Sequence, residues 1–239
     1  IGGDLVIQAG EGAAGAGDSR RIGFYGDADT EIILRGNFTS NTRSPSGGDH
    51  LSLSTMTLLE GSAGAPNTFE VAADPADGVA AATYAIGLLN VGETGTAAYA
   101  QLVNANLNDR STGVKDGEVL LAGVLSIGPN STLDLAGQHA KVVTNLDIDS
   151  TGVLDLNTGL TLSGGETITA FWGVGDHTTD WTGLQASVMD SDNPGVTFAP
   201  TYDGGDDATY WQAIPEPHLA GLFVLGLALV WKRLTRSAV

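Results

Sequence analysis

Histidine side chains are the first place to look for acid–base or metal chemistry in this chain. There are four: His50, His139, His177 and His218. None stands at a spacing that would place two imidazoles on one metal ion. His177 has Asp176 and Asp180 close by, and a carboxylate beside an imidazole can serve proton transfer. The threonines and the tryptophan around His177 favour a surface loop, and His139 is predicted to be a turn residue.

One acidic segment has oxygen-bearing side chains at alternating positions, as the start of a calcium loop does. It runs Asp190-Ser191-Asp192-Asn193-Pro194-Gly195. The glutamate that closes an EF-hand loop is missing, and a proline is foreign to that loop. We therefore predict a solvated turn here, and the similar segment Asp203–Asp207 is interpreted in the same way. No metal site and no cofactor are predicted, apart from weakly bound calcium.

The composition excludes several kinds of chemistry. The chain of 239 residues contains no cysteine, so it has neither disulfides nor thiolate ligands or nucleophiles. Ten Lys and Arg against 28 Asp and Glu give a net charge of −18, which argues against binding to nucleic acid. No motif for a phosphate-binding loop or a nucleophilic serine is present. So many carboxylates offer no distinct catalytic pair, and no catalytic residue is predicted.

The elements that would position these residues are short strands. Apolar runs alternate with Gly, Asp and Ser clusters about every 8–12 residues, which is typical of an all-β solenoid, sandwich or barrel. Strands are predicted at Asp4–Gly10, Arg21–Gly26, Glu31–Thr39, Leu51–Gly61 and Phe69–Val71. The alanine-rich stretches 79–90 and 96–106 have helical propensity. Strands are preferred there because Ile86–Gly92 is similar to the repeat that follows.

An internal repeat is the strongest evidence for the architecture. The segment from Leu125 to Gly137 aligns without gaps on the segment that starts at Leu146, with an offset of 21 residues. Each unit begins with Leu-x-Ile and closes with Leu-Asp-Leu, and further strands are predicted at 120–121, 142–143 and 160–162. Such a period without a helix favours a parallel β-solenoid, in which stacked coils bury apolar columns. An antiparallel β-sandwich is the alternative.

The pattern changes after residue 165, where tryptophans become frequent. Strands are predicted at Thr167–Trp172, Gln185–Val188, Val196–Tyr202 and Ala208–Gln212. The large aromatic side chains could cover the open end of a solenoid. We therefore predict three regions: a repeat region over 1–165, an aromatic-rich β cap over 166–213 and a terminal segment over 214–239.

The terminal segment has the order of parts of a membrane stop. Pro215 and Pro217 end the preceding structure, and thirteen residues without a polar side chain follow from Leu219 to Trp231. A helix of that length spans roughly 20 Å, against roughly 30 Å of hydrocarbon. A buried core helix is therefore the alternative to a short transmembrane helix. The membrane is favoured by the interfacial tryptophan and by the cations that follow. These cations are Lys232, Arg233 and Arg236.

The tripeptide Pro215-Glu216-Pro217, the apolar run and the basic end together resemble the PEP-CTERM sorting signal. This resemblance implies a Gram-negative bacterial protein, export, a transient stop in the inner membrane and cleavage near the tripeptide by an exosortase-type membrane protease. No signal peptide is visible and the sequence starts at Ile1 rather than Met, so we expect that the N-terminus has been removed or that this is a fragment of a longer chain. The repeat is similar to the autotransporter-passenger-like β-rich bodies common in proteins that carry such tails.

The predicted function is that of a non-enzymatic protein of the cell surface or extracellular matrix. Its expected partners are the sorting protease, the inner membrane for a time, and extracellular polysaccharide. Two alternatives remain: a β-helical carbohydrate-active enzyme with the same address, and a protein whose tail is never cut and anchors it permanently.

Overall fold

The computed structural model describes residues 1–8, 31–41, 52–72, 85–103, 119–121 and 123–214. These residues are mostly strand, with one short α-helix, α1 (Thr178–Trp181), and one 3-10 helix (Thr182–Ser187). The strands are β1 Leu5–Gln8, β2 Glu31–Leu34, β3 Phe38–Asn41, β4 Ser52–Leu58, β5 Asn67–Ala72, β6 Ala85–Val91, β7 Tyr99–Val103, β8 Val119–Leu121, β9 Val124–Ile127, β10 Thr132–Asp134, β11 Ala140–Val142, β12 Asn145–Ile148, β13 Val153–Asp155, β14 Thr167–Val174, β15 Val188–Met189, β16 Thr197–Asp203 and β17 Ala208–Ile214.

The described strands form three sheets: β1 to β7 alternate between two of them, and the third is entered first at β8. One has seven strands in the order β1-β3-β5-β7-β10-β13-β15, and the second has five in the order β12-β9-β6-β4-β2. The third has the order β16-β17-β14-β11-β8. All described pairs are parallel except β14 with β17 and β17 with β16. The all-β prediction is confirmed, and the parallel registers rule out an antiparallel sandwich.

The strand registers reproduce the repeat found in the sequence. Leu125 pairs with Leu146 and Ile127 with Ile148, where β9 lies beside β12. Asp134 pairs with Asp155, where β10 lies beside β13. The gapless alignment is therefore also the alignment in space, because equivalent residues of the two units are hydrogen-bonded neighbours.

One continuous hydrophobic core contains buried side chains from all three sheets. Because the strands pair in register, similar side chains stack on one another inside this core. The rings of Phe38 and Phe69, which are paired residues of β3 and β5, lie stacked with centroids 4.9 Å apart. Leu133, Leu154 and Val188 form a similar row across β10, β13 and β15. Since one repeat has no partner for its own apolar side chains, each unit depends on the next for burial.

The helical alternatives for the alanine-rich stretches are wrong in the described residues. β6 and β7 run through both stretches, in the second and first sheets respectively. The alternating burial of β7 explains the outcome in the second stretch: Ala100 and Leu102 face the core, while Tyr99, Gln101 and Val103 lie half-buried on the other face. A period of two overrides the helical propensity of alanine.

The single strand predicted over Glu31–Thr39 is in fact two strands in two different sheets. The chain turns at Gly36, where an added Cβ would lie 2.7 Å from the backbone carbon of Gly3. Asn37 holds the corner: its N–H donates to Asp4 Oδ1 at 2.8 Å, and its own Oδ1 accepts the N–H of Thr68 at 2.8 Å. The corner is made by side-chain hydrogen bonds, which an apolar pattern does not show.

Two other predicted strands are wrong. At 160–162 the chain is irregular, because the Asn193 side chain takes the place of a neighbouring strand. It donates to Leu160 O at 2.7 Å and accepts from Leu162 N at 2.9 Å. Over Gln185–Val188 the chain is mostly 3-10 helix, and only Val188 begins a strand. The strand predicted at Arg21–Gly26 lies outside the described residues.

Candidate functional site

The aspartates of the Leu-Asp-Leu motifs form the most concentrated group of side chains capable of chemistry, that is, ionisable or polar ones, in the described residues. Leu133 and Leu154 point into the core, so Asp134 and Asp155 lie on the opposite face of the seven-stranded sheet. Register places Asp134 between Gln101 and Asp155. The two carboxylates are nevertheless only 4% and 5% exposed. Two acids are thus buried side by side, which requires internal donors.

Those donors come from the chain itself. Asp134 Oδ2 accepts Gln101 Nε2 at 2.7 Å, and its Oδ1 accepts Asn157 Nδ2 at 2.9 Å and the N–H of Ala136 at 2.8 Å. Asp155 Oδ1 accepts the N–H groups of Ser191 at 2.9 Å and Asn157 at 3.1 Å. Burial raises the pKa of Asp155. The hydrogen bonds from Ser191 oppose this rise, and the neighbouring carboxylate of Asp134 adds to it.

The segment Asp190–Gly195 was predicted to be a solvated turn, and this is wrong at its first residue. Asp190 is 1% exposed. Its Oδ2 accepts Thr158 Oγ1 at 2.6 Å, and Asp192 Oδ2 accepts the N–H of Gly159 at 2.8 Å. The segment therefore ties the loop after β13 to the loop after β15. In the described residues no group of three or more His, Asp and Glu side chains is placed to hold a metal ion.

Many of the aspartates share one local role. Six of the described aspartates accept a hydrogen bond from the backbone N–H two residues later: Asp134, Asp149, Asp155, Asp176, Asp190 and Asp203. This Asx turn ends a strand or opens a loop. Many acidic residues in the described part of the chain thus serve to form turns.

His177 is not a simple surface-loop residue. Its ring is half-buried and stacks on Trp181, with centroids 5.3 Å apart and planes at 9°. Its Nε2 lies 2.8 Å from Val174 O. Asp176 instead accepts Thr178 Oγ1 at 2.6 Å, and this hydrogen bond lowers the pKa of Asp176. The imidazole of His177 thus contacts an aromatic ring and a backbone carbonyl, whereas the carboxylate of Asp176 binds a threonine hydroxyl.

The three tryptophans of the described residues are fully buried. Trp181 stacks on Trp211 with centroids 5.3 Å apart, and Phe171 lies 5.8 Å from Trp181. The indole N–H groups of Trp181 and Trp211 are buried without a hydrogen-bond partner. Trp172 packs edge-on against His139 at 6.4 Å, so His139 lies beside an aromatic ring just before β11, whereas the sequence predicted a turn. Trp181 and Trp211 lie in the main core, whereas Trp172 clusters with Ala208 and Tyr210, and all three rings are closed to a ligand at the surface.

Sequence reasoning missed the side chains that hold the buried aspartates, namely Gln101, Asn157, Thr158 and Ser191. One of them had a signal. Asn157 aligns with Ala136 in the repeat, and both residues have a positive φ, at 38° and 48°. Asparagine tolerates that conformation better than most residues, so Asp-Leu-Asn after a strand is a turn pattern. Gln101 lies in β7 and comes beside Asp134 through strand pairing, whereas Thr158 and Ser191 come from loops whose approach depends on the packing of successive strands.

The residues of the predicted sorting signal, Pro215, Glu216 and Pro217, lie outside the described residues. The same holds for the flanking cations Lys232, Arg233 and Arg236 and for the apolar run before them. Within the described part of the chain, no helix is long and apolar enough to cross a membrane.

The comparisons with known proteins find no relative for this chain. No protein-family model matches it, and no curated protein or solved structure is significantly similar to it.

Proposed function

We propose that this chain is an exported, non-enzymatic protein of the cell surface or extracellular matrix, sorted through its C-terminal segment. The observation that carries the proposal is the order of parts after β17. The Pro215-Glu216-Pro217 tripeptide, thirteen apolar residues and three cations follow within the last 25 residues of the sequence. Such a segment stops in a membrane with its cations at one surface.

The body in front of this segment is a β-solenoid in our proposal. Over residues 119–155 the chain passes through the third, second and first sheets as β8, β9 and β10, and then repeats the same order as β11, β12 and β13. Each strand is parallel to its equivalent one pass earlier. Successive passes that stack in register around one core are what a coil of three strands per turn would produce.

A structural role fits the way in which the described side chains are used. The buried aspartates accept hydrogen bonds from the chain's own amides and hydroxyl groups, and the buried rings of Trp181 and Trp211 stack on each other. Groups held in this way stabilise the fold and are not presented to a substrate. Acidic turns at the surface also keep an extended protein soluble outside the cell.

Fractionation of a doubly tagged protein tests the sorting. One tag is placed internally and one after Val239, and membranes, cell surface and medium are separated. We expect the internal tag outside the cell and the C-terminal tag in the inner membrane. An intact chain through Val239 at the final location would contradict processing and favour a permanent anchor.

A further inference from the structure

The second sheet ends at β12 because the next pass of the chain places no strand beside it. On each of the two passes over residues 119–155 the chain enters the third, the second and then the first sheet. On the following pass β14 lies in the third sheet and β15 in the first, but the chain between them forms α1 and the 3-10 helix. A helix bonds its main-chain groups internally, so this segment offers β12 no strand partner.

The main-chain groups along the outer edge of β12 have no partner among the described residues. β12 pairs with β9 alone, in parallel. Asp149, which follows the strand, donates its N–H to Ile127 O at 2.9 Å on the β9 side. Successive residues of a strand direct their N–H and C=O groups to opposite sides. Those of Leu146 and Ile148 therefore point away from β9.

The exposure of β12 agrees with an open edge. Each of its residues can be compared with the residue of β9 that it pairs with. Ile127 is 1% exposed, whereas its partner Ile148 is only half-buried. Ser126 is half-buried, whereas its partner Asp147 is exposed. The stack of strands thus opens to solvent at β12.

The comparable edges of the described sheets are shielded. In the first sheet β15 has only two residues, and in the third β16 contains Pro200, which has no N–H. At the far end of the second sheet, Ile1 N donates to Ile33 O at 2.9 Å and Ile1 O accepts Arg35 N at 3.2 Å, so the outer side of β2 is already bonded. β12 contains neither proline nor lysine, the residues that commonly protect an edge. A head-to-tail contact of β12 with β2 of another copy is therefore disfavoured.

We propose that two copies of this chain pair through their β12 edges. The two strands run antiparallel across a two-fold axis, with Leu146 opposite the partner's Leu146. The outward N–H and C=O groups of one copy then bind those of the other, which extends the second sheet through both bodies. A two-fold contact uses the same edge on both copies, so it closes at the dimer. This pairing does not depend on the C-terminal segment.

The side chains on the outer face of β12 select this register. With Leu146 on the axis, Asn145 lies opposite the partner's Asp147. Asn145 Nδ2 already donates to Asp147 Oδ1 of its own chain at 2.7 Å, and its second N–H is free to bind the partner's carboxylate. An axis at Asp147 would set two carboxylates opposite each other, and an axis at Ile148 would set Asp147 opposite the partner's Asp149. Like charges directly opposite are unfavourable, so both of these registers are disfavoured.

Cysteine trapping tests the register, because the chain has no cysteine of its own. Full-length Asn145→Cys and Asp147→Cys chains in mild detergent are oxidised separately and as an equal mixture. In the proposed register the two substituted positions face each other only in the mixture. We therefore expect the linked heterodimer to form at least about fivefold faster than either linked homodimer. Faster linking of Asp147→Cys alone would place the axis at Asp147 and would overturn the proposal, as would equal rates in all three samples.

A pair of charge variants tests whether the edge governs association. Asn145→Asp sets a carboxylate opposite the partner's Asp147, whereas Ser150→Asp adds the same charge in an exposed turn beyond β12. We expect the first to raise the dissociation constant of the dimer by about tenfold and the second to change it by less than about twofold. Equal weakening would mean that net charge decides association, and it would overturn the proposal.

Sedimentation of the full chain measures these constants. About 0.5 M sodium chloride screens the repulsion between the two acidic bodies. Tryptophan fluorescence checks that both variants are folded.

Residue-resolved hydrogen exchange tests which molecule covers the edge. Exchange of the Leu146 and Ile148 amides should slow by at least about tenfold from dilute to concentrated protein, while the Asp149 amide, which binds β9, changes little. Full protection in dilute monomer would mean that another part of the same chain covers β12, and it would overturn the proposal. Dimers in which these two amides stay unprotected would place the contact elsewhere, with the same consequence.

Discussion

At the scale of single residues, two described carboxylates, Asp155 and Glu166, show opposite effects of their surroundings on ionisation. Asp134 and Asp155 are buried beside each other on one face of a sheet. Surface carboxylates such as Glu166 bind nearby amides and hydroxyl groups and remain open to solvent. Glu166 accepts Ser163 Oγ at 2.6 Å and Gly164 N at 2.7 Å. Burial penalises the charge of Asp155 and raises its pKa, whereas hydrogen bonds favour the charge of Glu166 and lower its pKa.

For Asp155 the raised pKa means that the folded state holds its proton more tightly than the unfolded state. Its contribution to stability therefore falls as pH rises from the ordinary aspartate value through the raised one. We expect Asp155→Asn to be more stable than the unaltered chain at pH 7, because the amide keeps an Oδ1 acceptor and removes a buried charge beside Asp134. The advantage should shrink as pH falls towards 4. Urea unfolding at several pH values measures both effects.

Glu166 should behave in the opposite way. The hydroxyl of Ser163 and the adjacent amides lower the pKa of Glu166 to about 2. Its stabilising effect is therefore present above the ordinary glutamate pKa and is lost as pH falls through about 2. Glu166→Gln should be less stable than the unaltered chain at pH 7, with the difference vanishing near pH 2. If the difference in urea midpoint were independent of pH, these hydrogen bonds would not act through the charge.

At the scale of elements, tight turns between strands decide which sheets the chain visits. Between β6 and β7, Gly92 has a φ of 75°, and a Cβ there would lie 1.9 Å from Ser131 Oγ. That buried hydroxyl accepts the N–H of Ala98 at 3.0 Å. Gly95 in the same turn has a φ of 91° and open space around it. The two glycines differ in crowding and share the backbone conformation.

We expect Gly92→Ala to destabilise the protein by about 1–3 kcal/mol more than Gly95→Ala does. Both variants bear the cost of a positive φ, but only the first forces Ser131 to move. Midpoints of urea unfolding for the two variants measure the difference. Equal midpoints would show that the turn relaxes without disturbing the hydroxyl.

The elements also show what sequence patterns can and cannot predict. The 21-residue repeat fixed the register of β9 with β12 and of β10 with β13, because Leu-x-Ile and Leu-Asp-Leu recur at the same offset. Leu160–Leu162 has the same apolar alternation, yet Asn193 from a distant loop replaces its strand partner. The aspartates were visible as residues, whereas their burial was not, because the loops that cover them start from other strands.

At the scale of the whole molecule, repulsion between the many negative charges opposes the compact folded state. The chain carries a net charge of −18, and only one ion pair, Arg35 with Glu60 at 2.6 Å, is identified within the described residues. Its two side chains are 43% and 52% exposed, so it contributes little. The fold therefore depends on apolar stacking between successive strands and on backbone pairing, against the repulsion of its own surface.

Salt should consequently stabilise this protein. We expect the melting temperature at pH 7 to rise by a few degrees between about 0.02 and 0.5 M sodium chloride, because ions screen the repulsion between carboxylates. About 1 kcal/mol corresponds to about 2–4 °C for a chain of this size. The rise should be smaller near pH 4, where many carboxylates are protonated. A melting temperature that stays flat or falls with salt at pH 7 would contradict this account.

The strand order of the seven-stranded sheet has a mechanical consequence. Because β1, β3, β5, β7, β10, β13 and β15 lie side by side in chain order, the first and last of them occupy opposite edges. Hydrogen bonds between strands run along this edge-to-edge direction. A pull on the two edges would load all the ladders in series with the same force, so the weakest ladder would open first and the sheet would separate strand by strand. In the proposed role at a cell surface, such stepwise yielding would dissipate tension gradually before the whole body gave way.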